Sequence, residues 1–342
     1  MKSKYTYITL ITVLFSLWAC NKEDSLSSDS VLNTKTPELS DLDSWIRDNF
    51  ITPYNIDVEY RWDDDEYPKD KHLYPPTEEN VKPLLEVVHD VWIDPYNKVG
   101  GNDFIKNLAP RQLFLAGGEN VNQSGTITVG FAEAGMKITL FKVDDLDLTD
   151  VKETRSYMHT IQHEYCHILN QTKPFDPKYV EITPSGYTSN WYNFTNAQAN
   201  SEGFISAYAK MNDFEDFAEM TSHMLNMSKE EFDAIIDSIP AATETALKTT
   251  QNTLTELMIK IKVQELTNKK VAEDDLKKVK KLEEDIQKLQ VSLVKLNEAV
   301  KNLREKEEIV ANYFKSEWDI DIYELQELVD EKMREITEKH KD

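Results

Sequence analysis

Positive charge is what this chain has least of. Its 342 residues carry 39 Lys and Arg against 62 Asp and Glu, a formal net charge of −23. A surface of that sign repels nucleic acid and anionic lipid headgroups, so neither is expected as a partner. Cysteine is nearly missing as well. With Cys20 and Cys166 alone, no disulfide framework can hold the fold together. Nor is there a long hydrophobic run near the N-terminus: the apolar stretch at residues 8–18 falls well short of the about 20 residues that a spanning helix needs. Finally, residues 151–171 contain neither proline nor glycine, and nothing in that window interrupts a helix.

The short apolar run has the character of a secretory signal, with the basic opening Met1-Lys2-Ser3-Lys4 before it. Its ending, Leu17-Trp18-Ala19-Cys20, resembles the bacterial lipoprotein cleavage box. The resemblance implies that residues 1–19 are removed and that Cys20 carries lipid, an anchor in place of a membrane helix. Lys22-Glu23-Asp24 resembles the surface-export tag of Bacteroidetes lipoproteins, which implies an outer-membrane lipoprotein facing the outside of the cell. Residues 20–39, rich in Ser, Asn and Thr, read as a flexible tether. A lipidated Cys20 leaves Cys166 as the single thiol.

Order is expected from Ser40, where Ser40-Asp41 precedes Leu42, Trp45 and Ile46 at helical spacing. Residues 51–62 read as extended on the alternation of Ile56, Val58 and Tyr60, and Asp63-Asp64-Asp65-Glu66 reads as an acidic turn. Val81, Leu84, Leu85, Val88 and Trp92 predict an amphipathic helix over residues 77–92, and residues 104–108 add another turn or two. Three strand-like runs follow at residues 112–116, 126–131 and 136–143, separated by Gly117-Gly118 and Ala134-Gly135. The fold class is therefore α+β, with a small sheet and helices over residues 40–240.

From Ala241 the composition changes. Leu276, Val279, Leu282, Ile286, Leu289, Leu293, Leu296, Val300 and Leu303 step by threes and fours, a coiled-coil seam. Leu247, Leu254, Leu257, Ile261 and Leu266 mark an earlier helix, and the break near Thr267-Asn268 predicts an antiparallel helical hairpin over residues 241–305. Residues 306–342 then form a C-terminal helical segment packing on the core.

The chemistry concentrates in His163-Glu164-Tyr165-Cys166-His167, the His-Glu-x-x-His pattern of helical zinc hydrolases. Positions i and i+4 share a helix face, so both imidazoles can reach one Zn²⁺ ion, and Glu164 sits beside them as a general base for water. Asp150 can cap the helix that carries them. A catalytic zinc usually takes a third protein ligand. Nothing immediately downstream supplies it, since Asn170 and Lys173 stand where a metzincin has Gly and His. Farther on, Asn212 can cap a helix bearing Glu215 and Glu219 one turn apart. Chemistry alone lets either carboxylate be the ligand and the other its supporting partner.

The motif with Ile168-Leu169-Asn170-Gln171, Tyr208 and Glu215-Asp216-Phe217-Ala218-Glu219 resembles the zinc-binding metallopeptidases among Bacteroidetes lipoproteins, substrate-import-associated zinc metallohydrolases that accompany outer-membrane uptake proteins. That likeness covers most of the chain after Ser40. Over residues 157–225 the arrangement is also similar to the catalytic domain of anthrax lethal factor, a gluzincin. The resemblance implies a zincin-like core and one zinc held by His163, His167 and Glu215. It further implies Tyr208 facing the reaction centre and Glu219 supporting a ligating histidine.

The resulting expectation is a surface metallopeptidase acting on peptide or protein substrates, anchored through Cys20 and linked to outer-membrane uptake. Two alternatives remain at this stage: a non-catalytic binding component on the same fold, and a zinc amidohydrolase acting on a non-peptide amide. Four other features have blander readings. His159 reads as a surface or supporting residue, His223 as a buried structural histidine, Cys166 as a packing residue, and Tyr187, Trp191, Tyr192 and Phe194 as aromatic packing beneath a long loop.

Overall fold

The computed structural model describes residues 38–61, 73–121, 127–128, 130–133 and 136–341. The signal segment, Cys20, the export tag, most of the tether, the acidic turn at 63–66 and Ala134-Gly135 lie outside the described residues. The chain divides into two units, residues 1–43 and 44–342. In the first, Ser40 and Asp43 exchange side-chain-to-backbone hydrogen bonds of 3.1 Å, a reciprocal helix cap.

Helix α1 (Glu78–Val88) buries Val81, Leu84, Leu85 and Val88, as its apolar spacing requires. It does not stop at Trp92. The chain stays helical through a wide π turn, His89–Ile93, and on through Asp94–Gly100, because Ile93 and Tyr96 keep the apolar stripe buried. Gly101, at φ 96°, ends the run in a conformation that other residues resist. The extended reading of residues 51–62 also needs correction. Thr52–Tyr54 is helical, and Asn55 at φ 56° turns the chain into a strand only at Asp57.

The strands are β1 (Asp57–Glu59), β2 (Gln112–Leu115), β3 (Asn120–Val121), β4 (Ile127–Thr128), β5 (Gly130–Glu133) and β6 (Lys137–Leu140). The expected run at 126–131 is thus shared between β4 and β5. The main sheet has the order β1-β2-β6-β5, parallel except for β5, which pairs antiparallel with β6 in the register Phe131↔Thr139. β3 and β4 form a separate two-stranded ladder. Leu113, Phe114 and Leu115 are all buried although they alternate in direction, so β2 is covered on both faces, as central parallel strands are.

Helix α2 (Val151–Thr172) begins at Asp150, whose carboxylate accepts from the Lys152 amide at 2.8 Å. It packs on β5 and β6. Its other side meets α1's extension, where the Tyr165 ring lies edge-on to Trp92 and Tyr96 at 5.1 and 5.0 Å. Helix α3 (Asp213–Leu225) crosses α2 and also touches the long helices that follow.

Those are α4 (Lys229–Leu266), α5 (Glu273–Trp318) and α6 (Ile322–Lys339). α4 and α5 pack along each other and are tied near the turn by Lys260 and Asp275 at 2.8 Å. Val279, Leu282, Ile286, Leu289, Leu293 and Leu296 are half-buried, and Leu303 is fully buried where α5 enters the core. Leu276 departs from the expected seam. It is 53 % exposed, because Asp275, paired with Lys260, takes the inward position at that end. Among the described residues, no helix is long and apolar enough to cross a membrane.

Candidate metal centre

Helical spacing sets His163 and His167 on one face of α2, and tertiary packing brings the start of α3 against that face. Asn212 caps α3 by accepting from the Glu215 amide at 3.0 Å. Capping is therefore done by the amide side chain, and the Glu215 carboxylate is free to reach α2. Its Oε2 lies 2.9 Å from His163 Nε2 and 3.3 Å from His167 Nε2, and the two nitrogens are 3.1 Å apart. The imidazole rings stand nearly perpendicular, with centroids 4.8 Å apart.

This triangle fits zinc. A tetrahedral ion with ligand bonds of about 2.0–2.1 Å separates its ligand atoms by about 3.4 Å, so a small expansion would admit it. The donor set, two imidazoles and one carboxylate, is one that catalytic zinc takes.

The carboxylates around the triangle favour positive charge on its histidines. Burial alone would lower the His163 pKa, but hydrogen bonds to Glu215 and Glu219 overrule it and raise it to about 10. Glu215 would be raised by burial, yet His163 and His167 pull it down to about 2.

Glu219 addresses the other side of the same ring. Its Oε1 is 2.8 Å from His163 Nδ1, and its Oε2 accepts from the Ser206 hydroxyl at 2.5 Å. Burial raises its pKa, but His159 and His163 hold it well below the usual carboxylate range. Of the two carboxylates that chemistry alone left interchangeable, Glu215, the ligand the family resemblance implies, meets the inward nitrogens and Glu219 the outward one.

Glu164 is 8 % exposed, and its charge acts on both His163 and Tyr208. The Tyr208 ring lies 5.7 Å from that of His163. Burial first, then the charges of Glu215 and Glu164, raise its phenol far above the ordinary value, so it stays a proton donor. Cys166 turns away from the centre. It packs against Thr221 and Asn170, and burial pushes its thiol up to about 12.

The aromatic loop divides. Tyr187 donates to Asp216 Oδ2 at 3.0 Å, and Phe194 lies under the Lys210 ammonium at 4.7 Å, both packing roles. Trp191 sits edge-on to Tyr208 at 4.8 Å, while Tyr192 is 51 % exposed.

Sequence reasoning missed two features. Ser206 has no role there, although it lies two residues before Tyr208. The ion pair of Asp216 with Lys306, 2.6 Å long and fully buried, anchors α5 beside Glu215. Nothing local announces that pair across 90 residues.

A family model described as "Putative zinc-binding metallo-peptidase" matches residues 35–323. Among solved structures, a putative zinc-binding metallo-peptidase from Bacteroides caccae is similar, with a TM-score of 0.61 and 25% sequence identity. The alignment covers 88% of this chain and 96% of that one. No curated protein matches the chain.

Proposed function

The chain belongs to the zinc-binding metallo-peptidase family, and from that membership we propose a zinc-dependent peptidase of the gluzincin type, on a zincin-like core. The observation that carries the reading is the triangle of His163 Nε2, His167 Nε2 and Glu215 Oε2, no two of which are more than 3.3 Å apart. When bound there, Zn²⁺ supplies Lewis acidity and lowers the pKa of its water toward 7. Glu164, next to His163 on α2, takes the proton of the attacking water and returns it to the leaving amine, work typically worth about 10²–10⁴-fold. Tyr208 donates a hydrogen bond to the oxyanion that develops at the scissile carbonyl.

Glu219, steadied by Ser206, accepts from His163 Nδ1–H and so presents Nε2 inward as a neutral ligand. At the sheet edge beside α2, β5 offers backbone groups to an extended peptide. The cleavage-box and export-tag residues support a lipid on Cys20 and display on the outer membrane, and the family resemblance supports a place beside uptake proteins.

Elemental analysis of the purified, dialysed protein tests the reading. Wild type should retain one tightly held zinc, His163→Ala and Glu215→Ala should lose it, and Glu164→Gln should keep it. The last variant should also cut peptide-library hydrolysis by about 10²–10⁴-fold. A wild type that holds no zinc and takes up none when it is added would sink the proposal.

A further inference from the structure

The imidazole pair of the motif has a counterpart one helical turn away. His159 precedes His163 by one turn on α2, and His223 follows Glu219 by one turn on α3. Their rings stand at 86° with centroids 4.7 Å apart, against 82° and 4.8 Å for His163 and His167. Glu219 Oε1 is 3.0 Å from His159 Nε2, much as Glu215 Oε2 is 2.9 Å from His163 Nε2. One ligand atom from each of His159, Glu219 and His223 falls within 4.8 Å of the others. We propose that these three residues form a second, weaker zinc site bordering the first.

The donor set is again two imidazoles and one carboxylate, a combination that suits Zn²⁺. His223 Nδ1 donates to the backbone carbonyl of Glu219 at 2.8 Å. A backbone carbonyl on one ring nitrogen fixes the tautomer that leaves the other nitrogen unprotonated, as metal-binding histidines require. Glu219 serves both sites without conflict, because a carboxylate oxygen has two lone pairs. One meets His163 Nδ1–H at 2.8 Å, and the other faces His159. Access is at least that of the first site, where His167 is 18 % and Glu215 17 % exposed: the His159 side chain is 29 % exposed and that of His223 17 %, so an ion and its remaining waters can enter from solvent.

Two features make the site weaker than the first. The His223 ring meets the Glu219 carboxylate only at 3.9 Å, against 3.3 Å or less within the first triangle, and the Ser222 hydroxyl competes for His159 Nε2 at 3.4 Å. The other cluster of this kind among the described residues, His89, Asp90 and Asp94, draws all three groups from one short stretch of chain, with Asp94 exposed.

The second site does not depend on the catalytic reading, and a zinc titration separates the two. Metal-stripped protein is titrated with Zn²⁺ alone by calorimetry, for wild type, His159→Gln, His223→Gln and His167→Gln. Wild type should bind two ions, one tightly and one more weakly. His159→Gln and His223→Gln should keep the tight ion and weaken the second at least as much as losing an outer partner does, about 10–100-fold. His167→Gln should lose the tight ion and keep the weaker one. A wild type that binds only the ion lost in His167→Gln overturns the proposal. So does a second ion of unchanged affinity in either His159→Gln or His223→Gln. Loss of the tight ion alone in wild type would count against the peptidase centre and not against this site. Comparing two variants from two helices guards against a single misfolded protein.

Discussion

Glu215 and Glu219 stand four residues apart on α3, yet they meet opposite nitrogens of one histidine ring. That difference predicts unequal consequences. Glu215→Ala removes a corner of the triangle, whereas Glu219→Ala leaves all three inward atoms in place and frees His163 to turn. Loss of such an orienting partner costs about 10–100-fold in metal affinity, and loss of the direct ligand should cost more. Competition against a chromophoric chelator reads both constants. If Glu219→Ala proved the more damaging, the two assignments would exchange.

Between elements, the most consequential link is Lys306 on α5 with Asp216 on α3. The pair is fully buried at 2.6 Å, and Lys306 also donates to the Gly203 carbonyl at 2.9 Å. Burial drives the Asp216 pKa up to about 6 and that of Lys306 down, against their mutual attraction. Removing one partner strands a buried charge, so Lys306→Met should cost about 3–5 kcal/mol. Lys306→Met combined with Asp216→Asn removes both charges and should cost less than the single change. Urea unfolding of wild type, both single variants and the double variant decides it, and a double loss equal to the sum of the two single losses would mean the pair is not coupled. Because Asp216 follows Glu215 directly, this link also ties the long helical pair to the helix that carries a corner of the triangle.

For the whole molecule, an ion that joins α2 to α3 binds the folded chain and not the unfolded one. Zinc at 1,000 times its dissociation constant would then add about 4 kcal/mol. Stripping the metal with a chelator should therefore lower the melting temperature by several degrees, and adding zinc back should restore it. An unchanged melting curve would place the ion outside the folded framework. The net charge of −23 acts at this scale too, favouring solubility and opposing anionic partners.

How much was legible beforehand follows from how far apart the interacting residues lie. His163 and His167 were readable as a pair because helix geometry alone puts i and i+4 on one face. The Asp150 cap and the stripe of α1 were readable for the same local reason. The antiparallel turn of β5, the run of α1's extension to Gly100 and the outward position of Leu276 were not, since packing against other elements decides them. Glu215 as ligand came only from the family resemblance, since helix spacing treats Glu215 and Glu219 alike, and their facing of opposite His163 nitrogens required α3 to be docked on α2. So did the hydrogen bond from Ser206 to Glu219 and the meeting of His159 with His223. The sequence by itself determined the local chemistry: a paired-histidine helix, its cap, an acidic chain and an α+β order of elements. Only the tertiary structure decided which distant side chains complete that chemistry, because contacts across tens of residues depend on how whole helices pack and not on the spacing within any one of them.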